Sequence, residues 1–285
     1  MRAHNPIPNV YLYRQGDFDA IPSSPWVYWV SEGLRNLFLY NKLLGDIAPV
    51  KEGINTGDNF RFVRFWWEVR PLIGFNPESR FVPFCKGGAE TKYYDRIEEC
   101  VLADLSQMKC LDGSALRNLR FSFKESIVFL SNSSTNFRAR YVPPIAMFCS
   151  TGGRAVFPEK PIIKCLLGVL NSRLCDYLLK LINPTISIKV GDVCSLPIVS
   201  VGMEPINRLA DAAIEMRKEL VSCSELSFDF IAPPDWPDGV EKVAKRHAEL
   251  AEIERQIDEE VYRLYGISEE DRQAIEEELG MRNDE

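Results

Sequence analysis

Reading the chain for side chains that could do chemistry leads first to residues 51–64, KEGINTGDNFRFVR. Asn55, Thr56, Asp58 and Asn59 stand there among Gly53 and Gly57, and Arg61 and Arg64 follow directly. Asn and Arg can pair bidentately with adenine or guanine edges, while Thr and backbone N–H groups can take phosphate. The same residues also suit an ordinary tight turn in which Asn and Asp bond their own backbone. Two further stretches mix cations with aromatics: FVPFCKGGAETKYYDR at 81–96, with Lys86, Lys92 and Arg96, and SSTNFRARY at 133–141, with Asn136, Arg138 and Arg140. Lys189 adds a cation in TISIKVGDV. Such interleaving fits a nucleic-acid surface, and equally the rim of a β-rich domain.

Familiar catalytic sites are missing. The sequence has no G-x-x-x-x-G-K-[ST], no G-x-S-x-G and no H-E-x-x-H, and its glycine pairs are not dinucleotide fingerprints. An amino methyltransferase grips the amino group of a flipped base with an Asn- or Asp-Pro-Pro-aromatic tetrapeptide. The Pro-Pro steps here, Val142-Pro143-Pro144-Ile145 and Ala232-Pro233-Pro234-Asp235, do not fit that pattern. Two histidines, His4 and His247, leave little room for a His triad or a multi-histidine metal site. The eight cysteines form no C-x-x-C pair and read as reduced, partly buried thiols. We therefore expect no catalytic and no metal-binding residues in this chain.

The elements that would hold these residues fall into two regions. With 285 residues, 46% hydrophobic, the chain can bury a sizeable core without staples. No apolar run approaches the roughly 18 residues of a membrane span, and no secretory signal is visible, so a cytoplasmic protein is expected. Residues 1–200 carry 24 Lys+Arg against 18 Asp+Glu, whereas 201–285 carry 10 against 23. A net charge of −7 thus hides a body of +6 and a tail of −13. A basic body can face a polyanion while an acidic tail stays in solvent or docks elsewhere.

In residues 1–200 we expect an α/β (α+β) domain around a twisted, mainly antiparallel sheet with a buried helix. Ser31 is placed to cap a helix carrying Leu34, Leu37 and Phe38. FRFVRFWWEV at 60–69, FSFKESIVFL at 121–130, RYVPPIAMF at 140–148 and TISIKVGDV read as strands, with the Pro143-Pro144 pair at an edge or bend. Residues 160–182, apolar nearly all round, predict one buried helix. Residues 201–285 form an acidic helical segment packing on the body or on a partner: one amphipathic helix from about residue 204, a Pro-rich break at 232–239, and a longer helix. In that second helix Val243, Leu250, Ile257 and Leu264 share a face. Gly266 suits a C-cap, and Ser268 with Asp271 a restart.

Taken in order, the blocks PWVYWVSEGLR, GDIAPVKEGINTGDNFRFVRFWWEV, FVPFCKGGAETKYY, ARYVPPIAMF and LLGVLNSRLCDYLLKLINPTISIKVGDVCSLPI resemble the C-terminal target-recognition part of large adenine-specific DNA methyltransferases. The family is that of BREX-type phage-defence systems, with related specificity domains in type IIG restriction–modification enzymes. The resemblance runs over roughly residues 20–275, and the closing EVYRLYGISEEDR shares it. It implies a chain that selects a sequence in double-stranded DNA, while a separate domain binds S-adenosylmethionine and methylates N6 of a flipped adenine. No counterpart of that domain is expected here, so the chain reads as a split or excised half or a stand-alone relic, itself free of cofactor. Its implied partners are duplex DNA and a methyltransferase catalytic domain or other phage-defence subunits. Asn55, Thr56, Asp58, Asn59, Arg61 and Arg64 would form one contact edge, and Lys86, Lys92, Arg138, Arg140 and Lys189 would mostly meet phosphate. Gly57 and the Gly87-Gly88 pair would allow close backbone approach. Ala89, Glu90 and Thr91 after the Lys-Gly-Gly block depart from the family pattern. The rival expectation is a protein-interaction module, a scaffold or inhibitor, that binds no DNA.

Overall fold

The computed structural model describes residues 15–281 apart from 24, 70–79, 87–90, 132–135, 151, 200–201, 228–229 and 234–238. Gly87, Gly88 and most of the Pro-rich break lie outside the described residues. Among the described residues the strands are, in chain order, β1 (Lys42–Leu43), β2 (Val50–Lys51), β3 (Ile54–Asn55), β4 (Val63–Phe65), β5 (Phe81–Cys85), β6 (Glu99–Leu102), β7 (Ala115–Leu116), β8 (Ser126–Phe129), β9 (Ala139–Val142), β10 (Met147–Phe148), β11 (Arg154–Val156) and β12 (Pro197–Ile198). They build two four-stranded sheets, β10-β5-β6-β4 and β2-β11-β8-β9, and two small pairs, β1-β12 and β3-β7. Every pairing is antiparallel except β10 with β5.

Helices cover the second sheet. They are α1 (Glu32–Tyr40), α2 (Leu44–Ile47), α3 (Asn59–Phe62), α4 (Ile163–Leu170), α5 (Arg173–Ile182), α6 (Val190–Cys194), α7 (Glu204–Ser222), α8 (Gly239–Tyr265) and α9 (Glu269–Met281). Ser31 caps α1 as the sequence predicts, its Oγ accepting from Leu34 N–H at 3.1 Å, and Leu34, Leu37 and Phe38 are buried. One large core joins α1, α4 and α5 to Ile127, Phe129 and Val156 of the second sheet and to α7, α8 and α9. The first sheet closes a smaller core around Phe62, Val82, Phe84, Val101, Met108 and Met147.

Three predicted elements are corrected. Residues 160–182 do not make one helix. Ser172 Oγ accepts from Cys175 N–H at 3.2 Å and so starts α5 afresh. The Asn171 amide accepts from Ala139 N–H at 2.9 Å and donates to Ala139 O at 2.8 Å, acting as a strand partner for β9. Residues 60–69 are not a continuous strand. Asp58 Oδ1 accepts from Arg61 N–H at 3.0 Å and caps the single turn α3, leaving β4 only three residues. TISIKVGDV does not return as a strand. Asp192 Oδ2 accepts from Lys189 N–H at 2.7 Å and from Asn183 Nδ2 at 2.6 Å, which starts α6 instead. In each case a short side chain able to cap overrode the expected element, a continuous helix in the first and strand propensity in the other two.

At the α5 N-terminus, Asp258 of α8 accepts from Arg173 N–H at 2.8 Å. Burial pushes the Asp258 carboxyl up to about 6, against the lowering by that bond and by the Lys92 and Arg173 cations. An acid whose pKa is higher in the folded state stabilises most below its unfolded value, near pH 4, and that stability is lost as pH rises through about 6. Asp258→Asn retains an acceptor for the Arg173 N–H. It is therefore expected to stabilise by up to about 3 kcal/mol above pH 7 and to be near neutral at about pH 4. Urea melts at both pH values check this, and an equal effect at the two would contradict it.

Candidate nucleic-acid interface

The 55–59 turn is held by its own side chains. Asn55 Oδ1 accepts from Gly57 N–H at 3.3 Å, Thr56 Oγ1 donates to Asn59 Oδ1 at 2.7 Å, and Asp58 caps α3. Thr56 is buried, so it braces the turn and presents nothing to a ligand. Gly57 has φ +73°, and a Cβ there would sit 2.9 Å from Ser114 N, so this position requires glycine. Gly53 is more constrained: a Cβ would lie 1.8 Å from the Phe148 carbonyl oxygen, where the two large sheets touch. Asn55 pairs with Ala115 and Ile54 with Leu116 through β3-β7, an antiparallel register that sets Arg117 at the Glu52 end of β3, away from the turn. There Arg117 Nη1 donates to Glu52 Oε2 at 2.6 Å, and Asn118 Nδ2 to Glu52 O at 2.9 Å.

Asp58, Asn59, Phe60 and Arg61 are exposed on the outer face of α3. The Arg61 guanidinium lies 5.2 Å from the Phe62 ring centroid. Arg64 turns back, Nη1 donating to Phe60 O at 2.6 Å and Val63 O at 2.7 Å. Between α3–β4 and the end of β5 lies an open groove of about 480 Å³ lined by Asn59, Phe60, Val63, Arg64, Phe65, Glu68, Lys86 and Glu99. Lys86, distant in sequence, thus meets Asn59 and Arg64 at one place.

The remaining sequence-derived cations are elsewhere. Lys86 Nζ pairs with Glu99 Oε1 at 3.1 Å, and Lys92 Nζ with Glu254 Oε2 of α8 at 3.8 Å. The acidic segment thus supplies the carboxylate that Lys92 faces. Arg140 is buried, its Nη2 donating to Lys86 O at 3.0 Å and its Nη1 lying 3.9 Å from Asp95 Oδ2. It ties β9 to the β5 end and cannot reach a ligand, which corrects its expected phosphate contact. Arg138 is half-buried before β9, and Lys189 is exposed at the start of α6. Sequence reading missed Phe60, 92% exposed, and the Phe65–Trp67 stack with centroids 4.6 Å apart. The aromatic density of FRFVRFWW was the available signal. It also missed Arg117, because the β3-β7 register has no local trace.

Among the described residues, no group of three His, Cys, Asp or Glu side chains is placed to hold a metal, and no helix is long and apolar enough to cross a membrane. Burial pushes the Cys100 and Cys165 thiols up to about 12, which makes them poor nucleophiles.

The chain's homologues are adenine-specific methyltransferases. It is 30% identical over 239 residues to adenine-specific methyltransferase PglX of Lacticaseibacillus casei (strain Zhang), a match covering 78% of this chain and 20% of the relative. It is 32% identical over 225 residues to adenine-specific methyltransferase BrxX of Escherichia coli O9:H4 (strain HS), covering 76% of this chain and 18% of the relative. The chain thus spans about a fifth of the length of the curated relatives it matches. No protein-family model matches it. Among solved structures, type IIL restriction-modification enzyme MmeI in complex with DNA aligns with 86% of this chain and 37% of its own, at 12% identity and a TM-score of 0.47.

Proposed function

We propose that this chain recognises a sequence in double-stranded DNA as the specificity part of an N6-adenine DNA methyltransferase system of phage defence or restriction–modification, with methyl transfer performed by a catalytic domain. The observation that carries this reading is the braced 55–59 turn, which holds Asn59, Phe60 and Arg61 outward. The homology to adenine-specific methyltransferases supports it. In this reading Asn59 and Arg61 meet base edges, since an amide and a guanidinium are the groups that read adenine and guanine bidentately. Arg117 and Lys189 meet phosphate. Arg140, Thr56 and Gly57 keep the edge in place. S-adenosylmethionine would be bound by the catalytic domain.

The distinction is measurable by fluorescence anisotropy on duplex DNA at about 50 and 200 mM salt. Arg117→Ala is expected to weaken binding to all duplexes alike and to lower the salt slope by about one. Arg61→Ala is expected to relax preference at one base pair, by about 1–3 kcal/mol. A wild-type chain with no salt-dependent duplex binding would overturn the reading. It would leave the interaction-module alternative, which one separate observation favours: Trp26, in the segment that leads into α1, and Tyr40, at the end of α1, are 82% and 80% exposed.

A further inference from the structure

Phe60 is the most exposed large apolar side chain among the described residues, at 92%, and its turn is held by several hydrogen bonds. Asp58 caps the turn in front of it, Thr56 and Asn59 lock that turn, and the Phe60 carbonyl accepts from Arg64 Nη1 at 2.6 Å. A lone exposed hydrophobe on a loose loop needs no explanation. A ring held out on a rigid turn is different, because the ordering that binding would otherwise require is already in place. Its surroundings point to the occupant. Asn59 and Arg61 on either side in sequence are exposed, one an amide and the other a cation. The carboxylates of the adjoining groove are engaged within the protein, Glu99 with Lys86 at 3.1 Å and Glu68 with Phe65 N–H at 2.7 Å. What faces outward is an aromatic ring flanked by an amide and a guanidinium, with the Asp58 carboxylate turned onto the Arg61 N–H as the cap of α3. That chemistry fits a base pair and its phosphates better than an apolar protein surface.

We infer that Phe60 is a wedge that enters the DNA base stack at the recognition site and partly unstacks one base step. The inference rests on the DNA-binding reading above and adds to it a distortion of the duplex. Apolar side chains inserted between bases unstack the step and kink the helix, and the deformability of that step then contributes to sequence choice. Arg61, one residue on, would offset phosphate charge brought closer by the kink.

The test uses the chain as it stands. A duplex is first selected by the wild-type protein from a pool with a randomised centre, and 2-aminopurine is then placed at each position of it in turn. The wild type is expected to raise 2-aminopurine emission severalfold at one step. Phe60→Ala should abolish that rise and weaken binding on the order of tenfold to a hundredfold, while Phe60→Trp should retain both. An unchanged thermal midpoint for both variants confirms that the fold is intact, as an exposed side chain implies. If Phe60→Ala binds within twofold of the wild type, or if no position brightens with the wild type, the wedge is overturned and sequence recognition stands. If the wild-type chain selects no duplex, the DNA reading and the wedge fall together.

Discussion

Leu170→Asp is expected to abolish cooperative folding. Leu170 ends α4 with no solvent exposure, in the core that joins the second sheet to α7 and α8. A carboxylate there enters an apolar core, and the cost of desolvating it without a partner is about 5 kcal/mol or more. That equals the lower end of the total stability of an ordinary domain. Leu170→Met conserves volume and should cost about 1 kcal/mol. Thermal and urea melts of the pair check the argument, and an unchanged midpoint for Leu170→Asp would mean that α4 is not where the structure has it.

Gly53→Ala should cost about 3 kcal/mol or more, although it adds a single methyl group. The added carbon would overlap the Phe148 carbonyl oxygen, which is backbone and cannot swing aside. Gly53 N–H also donates to Cys149 O at 3.3 Å, and Ile54 bridges Cys149, so the clash falls on the seam between the two large sheets. Moving that seam moves β3 and the Asn55 edge with it. Gly191→Ala, where nothing lies within 4 Å, is the matched control and should be neutral. Equal urea midpoints for the two variants would contradict the close approach.

Much of the helical half was legible, because caps and apolar spacing are local. Ser31, Gly266 and Ser268 each bound a helix end where the residue types say they should: Gly266 has φ +64°, and Ser268 Oγ accepts from Asp271 N–H at 3.1 Å. The strand errors came from the opposite situation. Phe60, Arg61 and the TISIK stretch look like strand by composition, but Asp58 and Asp192 offer caps that composition does not weigh. The candidate site was legible as a segment and not as a surface. Asp58, Asn59 and Arg61 are exposed together while Thr56 is buried beneath them, whereas Arg140, equally basic in sequence, is buried beside Asp95 and Lys92 faces Glu254 of α8. Which cation a long-range carboxylate claims depends on packing across the sheets, and a linear sequence holds no record of it.

Sequence choice by this chain alone tests the central claim most directly. The isolated protein is mixed with duplexes randomised at the centre, bound molecules are recovered through several rounds at near-physiological salt, and the pool is sequenced. Recognition predicts convergence on one motif, with the selected duplex bound at least a thousandfold more tightly than a scrambled one. A pool that stays random after binding, or that never binds, would contradict it.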